Sequence, residues 1–116
     1  MWGHRCCEVD FRSTIMIEFQ FFDGCPNADD TLQNLHEVML EQHLTKDHLK
    51  LTEVPNIEAA KMVNFQGSPT ILINGKDIYT DEVPVGFSYS CRIYMFNGEQ
   101  TGCIPKEIIA AKLNNL

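Results

Sequence analysis

The chain of 116 residues is 44% apolar and 22% charged, and its formal net charge is -7. This length suits a single domain, which can bury enough apolar surface to fold without a disulfide or a metal ion. The acidic balance argues against nucleic acid and membrane surfaces as partners, because both are bound mainly through Lys and Arg side chains.

The first 13 residues show no apolar periodicity, so we expect a disordered N-terminal extension at 1–13 and one domain over 14–116. No apolar run reaches the roughly 18 residues that a membrane helix needs. The apolar stretch at 14–22 has neither the charged leader nor the cleavage site of a signal peptide. The sequence therefore predicts a cytoplasmic protein, in which thiols stay reduced.

The first half of the domain alternates between strand and helix patterns. Apolar and polar residues alternate over 15–22, which predicts a strand. A proline at a first helical position and apolar residues at helical spacing then predict a helix over 26–44. A second strand is predicted over 49–54, and a short helix over 57–63 with Asn56 as its N-cap.

The second half predicts two strands and a last helix. The apolar run 70–73 reads as a third strand, and Asn74–Gly75 is typical of a tight turn. Residues 91–96 are predicted as the fourth strand, and a helix follows Pro105. The order β-α-β-α-β-β-α predicts an α/β protein with a mixed four-stranded sheet and helices on both faces.

Cys25 lies between the first predicted strand and the first predicted helix. Unpaired backbone N–H groups and the positive end of the helix dipole meet there, and both favour a thiolate over a thiol. A buried cysteine that merely ends a strand is the plainer interpretation. The flanking Gly24 and Pro26 favour a tight turn that presents the side chain, so we expect Cys25 to be reactive.

Two segments resemble the thioredoxin superfamily. The run Gly67–Ser68–Pro69–Thr70, followed by apolar residues, resembles the cis-proline strand of that family, and the Cys25–Pro26 turn is similar to its C-x-x-C turn. The resemblance covers the chain after residue 13 and implies a thioredoxin-like fold. It is greatest to small bacterial thioredoxin-like and glutaredoxin-like proteins that have a Gly-Cys-Pro-Asn turn.

The resemblance also implies roles for individual residues. Cys25 matches the attacking cysteine, Pro69 matches the cis-proline that packs against it, and Ser68 would offer backbone groups to an extended thiol substrate. Gly102 lies where glutaredoxins have a glycine-rich turn near the reactive end of the sheet. The implied substrate groove comprises Pro26, Ser68, Pro69, Thr70 and Gly102.

The second cysteine of the C-x-x-C turn is absent, because that position is Ala28. Cys25 then acts alone with a small thiol as the resolving group, or another cysteine resolves it, or the chemistry has been lost. Cys103 is favoured over Cys91 as the candidate resolving thiol. A strand beginning at Cys91 would hold it about 20 Å from the end of the sheet that carries Cys25. The plainer interpretations are a core thiol for Cys91 and a half-buried loop thiol for Cys103.

The sequence therefore predicts a thioredoxin-fold protein that performs monothiol thiol–disulfide exchange or thiol capture through Cys25. The expected partners are thiol or disulfide substrates, with glutathione as a candidate co-substrate or a protein as the partner. No resident cofactor and no metal are expected. The alternative is a non-catalytic binding module whose groove holds a protein segment, or whose thiols hold a soft metal or metalloid.

Overall fold

The computed structural model of the protein describes residues 15–115, so the extension predicted at 1–13 lies outside the described residues. Within this range the chain forms six strands, three α-helices and one turn of 3-10 helix at Lys46–His48. In chain order the elements are β1 (Ile17–Phe21), α1 (Pro26–Glu41), β2 (Leu49–Glu53), α2 (Ile57–Val63), β3 (Thr70–Ile73), β4 (Lys76–Asp77), β5 (Tyr94–Phe96), β6 (Glu99–Thr101) and α3 (Lys106–Asn114).

Strands β1 to β4 form one mixed sheet in the order β2-β1-β3-β4. β1 is parallel to β2 and antiparallel to β3, and β4 is antiparallel to β3. The parallel pair is connected through α1, as parallel neighbours require a crossover. The predicted α/β class and the mixed four-stranded sheet are therefore confirmed.

The fourth strand of this sheet is not the predicted one. Asn74 and Gly75 have φ values of 53° and 85°, and this tight turn pairs β4 directly with β3. Tyr94–Phe96 instead pairs with β6 across a second Asn-Gly turn and forms a separate two-stranded sheet. The prediction of 91–96 as the fourth strand was wrong, because β4 already occupies the edge of β3.

The ends of α2 follow the sequence closely. The Asn56 side chain accepts a hydrogen bond from Ala59 N at 2.8 Å, as expected of an N-cap. The helix ends at Asn64, whose φ of 53° is left-handed. Side-chain capping and a residue that tolerates the left-handed region thus set both boundaries of this short helix.

The main core lies on one face of β1, where Ile17 and Phe19 are buried against α1 and α3. The opposite face of the strand is polar: Glu18 accepts hydrogen bonds from Thr52 Oγ1 at 2.7 Å and from Gln20 Nε2 at 3.1 Å. A second, smaller apolar cluster packs around α2; its fully buried members are Val54, Ala60 and Phe65. No helix within residues 15–115 is both long enough and apolar enough to cross a membrane.

Candidate functional site

Cys25 is the N-cap of α1, directly after the turn that ends β1. Its backbone is extended, Pro26 occupies the first turn of the helix, and Ala28 N donates to Cys25 O at 3.0 Å. The Cys25 side chain is buried, with 4% of the residue exposed. Its Sγ lies 3.9 Å from Ser68 O, the separation of a weak S–H···O hydrogen bond. The cysteine thus lies at the helix N-terminus, as predicted, but beneath the surface.

The loop that contacts Cys25, residues 67–70, is held in place by several hydrogen bonds. The Ser68–Pro69 peptide bond is cis, as the resemblance implies. Phe22 N donates to Ser68 Oγ at 3.3 Å, Thr70 Oγ1 donates to Gly67 O at 2.6 Å, and the Tyr94 hydroxyl donates to Pro69 O. These contacts hold the start of β3 against the end of β1.

The main chain of Ser68 is already hydrogen-bonded to another part of the protein. Ser68 N donates to Ser90 O, and Arg92 N donates to Ser68 O, both at 2.9 Å. The two bonds form an isolated parallel bridge between Ser68 and Cys91. The backbone groups expected to bind an extended substrate are therefore occupied by the chain's own segment 90–92, which corrects the sequence-based expectation for Ser68.

Cys91 is exposed and lies beside Ser68 rather than at the far end of a strand. Ser68 O is 3.9 Å from Cys25 Sγ and 2.9 Å from Arg92 N, the atom bonded to the carbonyl carbon of Cys91. The separation of about 20 Å predicted for Cys91 was therefore wrong. Residues 90–92 precede the strand that begins at Tyr94, and they pair with Ser68 instead of extending the two-stranded sheet.

Cys103 is half-buried and faces the middle of α1. Asn34 Nδ2 donates to Cys103 Sγ at 3.4 Å and to Ile104 O at 3.0 Å, while Ile104 N donates to Thr31 Oγ1 at 3.1 Å. Asn34 is about 13 Å along the helix axis from Cys25. The structure thus places Cys103 against the second and third turns of α1, and Cys91 against the loop that contacts Cys25.

Gly102 lies against the first turn of α1. A Cβ atom at Gly102 would overlap the Asn27 side-chain amide. A side chain at this position would require the Asn27 amide to move. Asn27 follows Cys25 by two residues, so Gly102 lies near the N-terminus of α1.

Arg92 anchors the segment that covers Ser68, and the sequence analysis did not identify it. Its Nη1 donates to Asp77 Oδ2 at 2.7 Å and to Thr70 Oγ1 at 3.0 Å. The Arg92 and Asp77 side chains are 11% and 2% exposed. The guanidinium also lies over the rings of Tyr94 and Tyr79, 4.7 Å and 5.4 Å from their centroids. No motif or regular spacing connects these residues in the sequence.

Burial raises the pKa of Tyr94 well above its ordinary value. Below about pH 10, the phenol is protonated in both the folded and unfolded states. Above that pH the unfolded chain loses the proton while the folded chain keeps it, so the free energy of unfolding falls as the pH rises. We expect Tyr94→Phe to flatten this alkaline dependence in urea unfolding between about pH 8 and about pH 11.

Tyr79→Phe is the matched control for Tyr94→Phe, because Tyr79 is 37% exposed. This variant should keep the alkaline dependence of the original protein. An equal flattening in both variants would contradict the assignment of the effect to the buried phenol.

No protein-family model, curated protein or solved structure matches the chain. Among residues 15–115, no group of three or more His, Cys, Asp or Glu side chains is placed to hold a metal ion. The site formed by Cys25, the Ser68–Pro69 loop and segment 90–92 is therefore interpreted from its own geometry.

Proposed function

We propose that the protein has a thioredoxin-like fold and exchanges thiols and disulfides through Cys25. The order and directions of the strands β2-β1-β3-β4 support the fold assignment. So does α1, which follows β1 after a short turn and begins opposite the Ser68–Pro69 loop. The observation that carries the proposal is the position of Cys25 Sγ, at the N-terminus of a 16-residue helix and 3.9 Å from Ser68 O.

The chemistry follows from this position. The proposed nucleophile is the thiolate form of Cys25, at the N-terminus of α1. The Cys25 thiolate attacks one sulfur of a disulfide, a new S–S bond forms, and the other sulfur leaves as a thiolate that takes a proton from water. A second thiol then attacks the mixed disulfide and returns Cys25 to its reduced form.

Small thiols such as glutathione are the proposed reductant, because the turn has Ala28 in place of a second cysteine. The cycle requires a compartment in which thiols are kept reduced, which agrees with the proposed cytoplasmic location. The substrates are then small disulfides or the mixed disulfides of other proteins.

Replacement of Cys25 by Ser is expected to lower the rate of glutathione-dependent reduction of a small disulfide, such as hydroxyethyl disulfide, well below that of the original protein. A serine hydroxyl is not ionised near neutral pH and cannot form the mixed disulfide. The rate of glutathione disulfide production, followed by a coupled NADPH assay, measures the effect.

Cys103→Ser provides the matched control, since it removes a half-buried thiol that faces the middle of α1. This variant should retain the original rate. A Cys25→Ser protein as active as the original would overturn the proposed function.

A further inference from the structure

We infer that Cys91 receives the outside disulfide and passes it to Cys25, so that segment 90–92 serves as a built-in substrate strand. This inference rests on the proposed function of Cys25. It assigns to that site a second thiol, which lies far from Cys25 in the sequence.

The first observation is the way the segment is bound. The hydrogen bonds from Ser68 N to Ser90 O and from Arg92 N to Ser68 O engage both main-chain groups of the residue whose carbonyl oxygen contacts Cys25 Sγ. Cys91 lies between the two bonded residues, directly opposite Ser68. The chain therefore pairs a cysteine of its own, in extended conformation, with the loop that contacts Cys25.

The second observation is how close the backbone of segment 90–92 lies to the Cys25 sulfur. Cys25 Sγ and Arg92 N both lie next to Ser68 O, so the distance between these two atoms cannot exceed the total of 3.9 Å and 2.9 Å. A disulfide requires the two Cα atoms to come within about 7 Å of each other, so the segment must shift when the bond forms. Cys91 belongs to an isolated bridge outside the regular strands, so its backbone can adjust to that geometry.

The third observation is the difference in exposure. Cys91 is exposed, whereas Cys25 is 4% exposed. An outside disulfide therefore reaches Cys91 without any opening of the structure, whereas Cys25 is reached directly only after local opening. The order of the two steps follows: Cys91 first, Cys25 second.

Two anchors hold the segment in this position. The buried Arg92–Asp77 ion pair fixes one end of it. At the other side, Gly67 lets the backbone approach closely, since a Cβ atom there would lie 2.9 Å from Arg92 Cβ and 3.1 Å from Ser90 O. The same contacts keep Cys91 beside Ser68.

The reaction takes place in three balanced steps. The Cys91 thiolate attacks the outside disulfide, forms a mixed disulfide and releases one thiolate. Cys25 then attacks the Cys91 sulfur, forms the Cys25–Cys91 disulfide and releases the second thiolate, so the substrate gains two electrons and two protons. Two molecules of a small thiol such as glutathione reduce the internal disulfide and become glutathione disulfide.

The test traps each step by mass spectrometry. The full-length chain carries Cys6→Ser and Cys7→Ser in every variant, so that three thiols remain. Glutathione disulfide is added, the reaction is quenched with acid at intervals, and peptide mapping locates the modifications. The variants are the reference, Cys25→Ser, Cys91→Ser and Cys103→Ser.

We expect the reference and Cys103→Ser to form the Cys25–Cys91 disulfide, and Cys25→Ser to accumulate glutathione on Cys91. In Cys91→Ser, we expect glutathione to reach Cys25 at least about tenfold more slowly than it reaches Cys91 in Cys25→Ser, because a buried thiol reacts only after local opening.

Two sets of results would overturn the inference in different ways. In the first set, Cys25 of the Cys91→Ser variant takes up glutathione as fast as the reference protein loses its thiols, or Cys91 of the Cys25→Ser variant stays unmodified. Either result would show that Cys91 is not the receiving thiol. The proposed function of Cys25 then stands whenever Cys25 itself is modified. If the Cys25 thiol of the reference persists throughout, the proposed function fails together with the inference.

Discussion

Replacement of Arg92 by Met is expected to lower the free energy of unfolding by about 3–5 kcal/mol. The change leaves the Asp77 carboxylate, 2% exposed, without its ion-pair partner in the interior. It also removes the hydrogen bond to Thr70 Oγ1 and the contact of a cation with the Tyr94 ring. Urea unfolding at neutral pH, followed by circular dichroism, measures the loss.

Two comparisons make this prediction specific. Lys112→Met breaks the exposed ion pair with Asp81 and should change the free energy of unfolding by no more than about 1 kcal/mol. The double variant Arg92→Met with Asp77→Asn should recover part of the loss, because the unpaired buried charge is gone. An equal decrease in the free energy of unfolding for Arg92→Met and Lys112→Met would show that the buried ion pair contributes no more to stability than the exposed one.

Replacement of Gly67 by Ala is expected to cost about 2–5 kcal/mol, from backbone strain and steric overlap together. Gly67 has a φ of 113°, a region that residues with a Cβ atom rarely adopt. The added Cβ would also lie 2.9 Å from Arg92 Cβ. The substitution should both destabilise the fold and push segment 90–92 away from Ser68, which thermal unfolding and hydrogen exchange of the Arg92 amide can detect.

The variant Gly98→Ala separates the effect of backbone strain from that of steric overlap. Gly98 also has a positive φ, 82°, but a Cβ there would meet nothing within 4 Å. The free energy of unfolding of Gly98→Ala should therefore fall only by the cost of the left-handed backbone, about 1–2 kcal/mol. If the two alanine variants are equally stable, the close approach between Gly67 and Arg92 is not important for the fold.

The parts of the fold that the sequence predicts well depend on local signals. Period-two alternation predicts β1, and Pro26 marks the start of α1. Asn56 predicts the start of α2 through a side-chain cap. These features require only neighbouring residues, so they can be identified without knowledge of the rest of the chain.

Asn97–Gly98 is a local hairpin signal, and Tyr94–Phe96 pairs with Glu99–Thr101 across it. No strand pattern could show that this hairpin stands apart from the four-stranded sheet, because such a pattern indicates which faces are apolar but not which neighbour completes the hydrogen bonds. The same applies to Cys91. It lies in an irregular segment that returns to Ser68, and the bridge between them depends on contacts that no local pattern encodes.

The sequence predicted some features of the candidate site and not others. The sequence pattern placed Cys25 at a helix N-terminus, and the family resemblance implied a cis peptide bond before Pro69; both are observed. It did not predict the burial of Cys25 or the pairing of Arg92 with Asp77. The pairing depends on the path of the chain between β4 and β5, where the sequence shows neither a strand period nor a helix period.

The two unlike faces of β1 have a consequence for how the sheet assembles. Ile17 and Phe19 enter the core, while Glu18 and Gln20 form hydrogen bonds on the other side. Because side chains alternate along a strand, a slip of one residue against either neighbour would turn Glu18 into the core and the aromatic ring outward. Such a slip would bury a carboxylate without its partner, which costs several kcal/mol. The alternation of side chains along β1 therefore favours a single register with β2 and β3. This preference for one register does not depend on any loop or helix end.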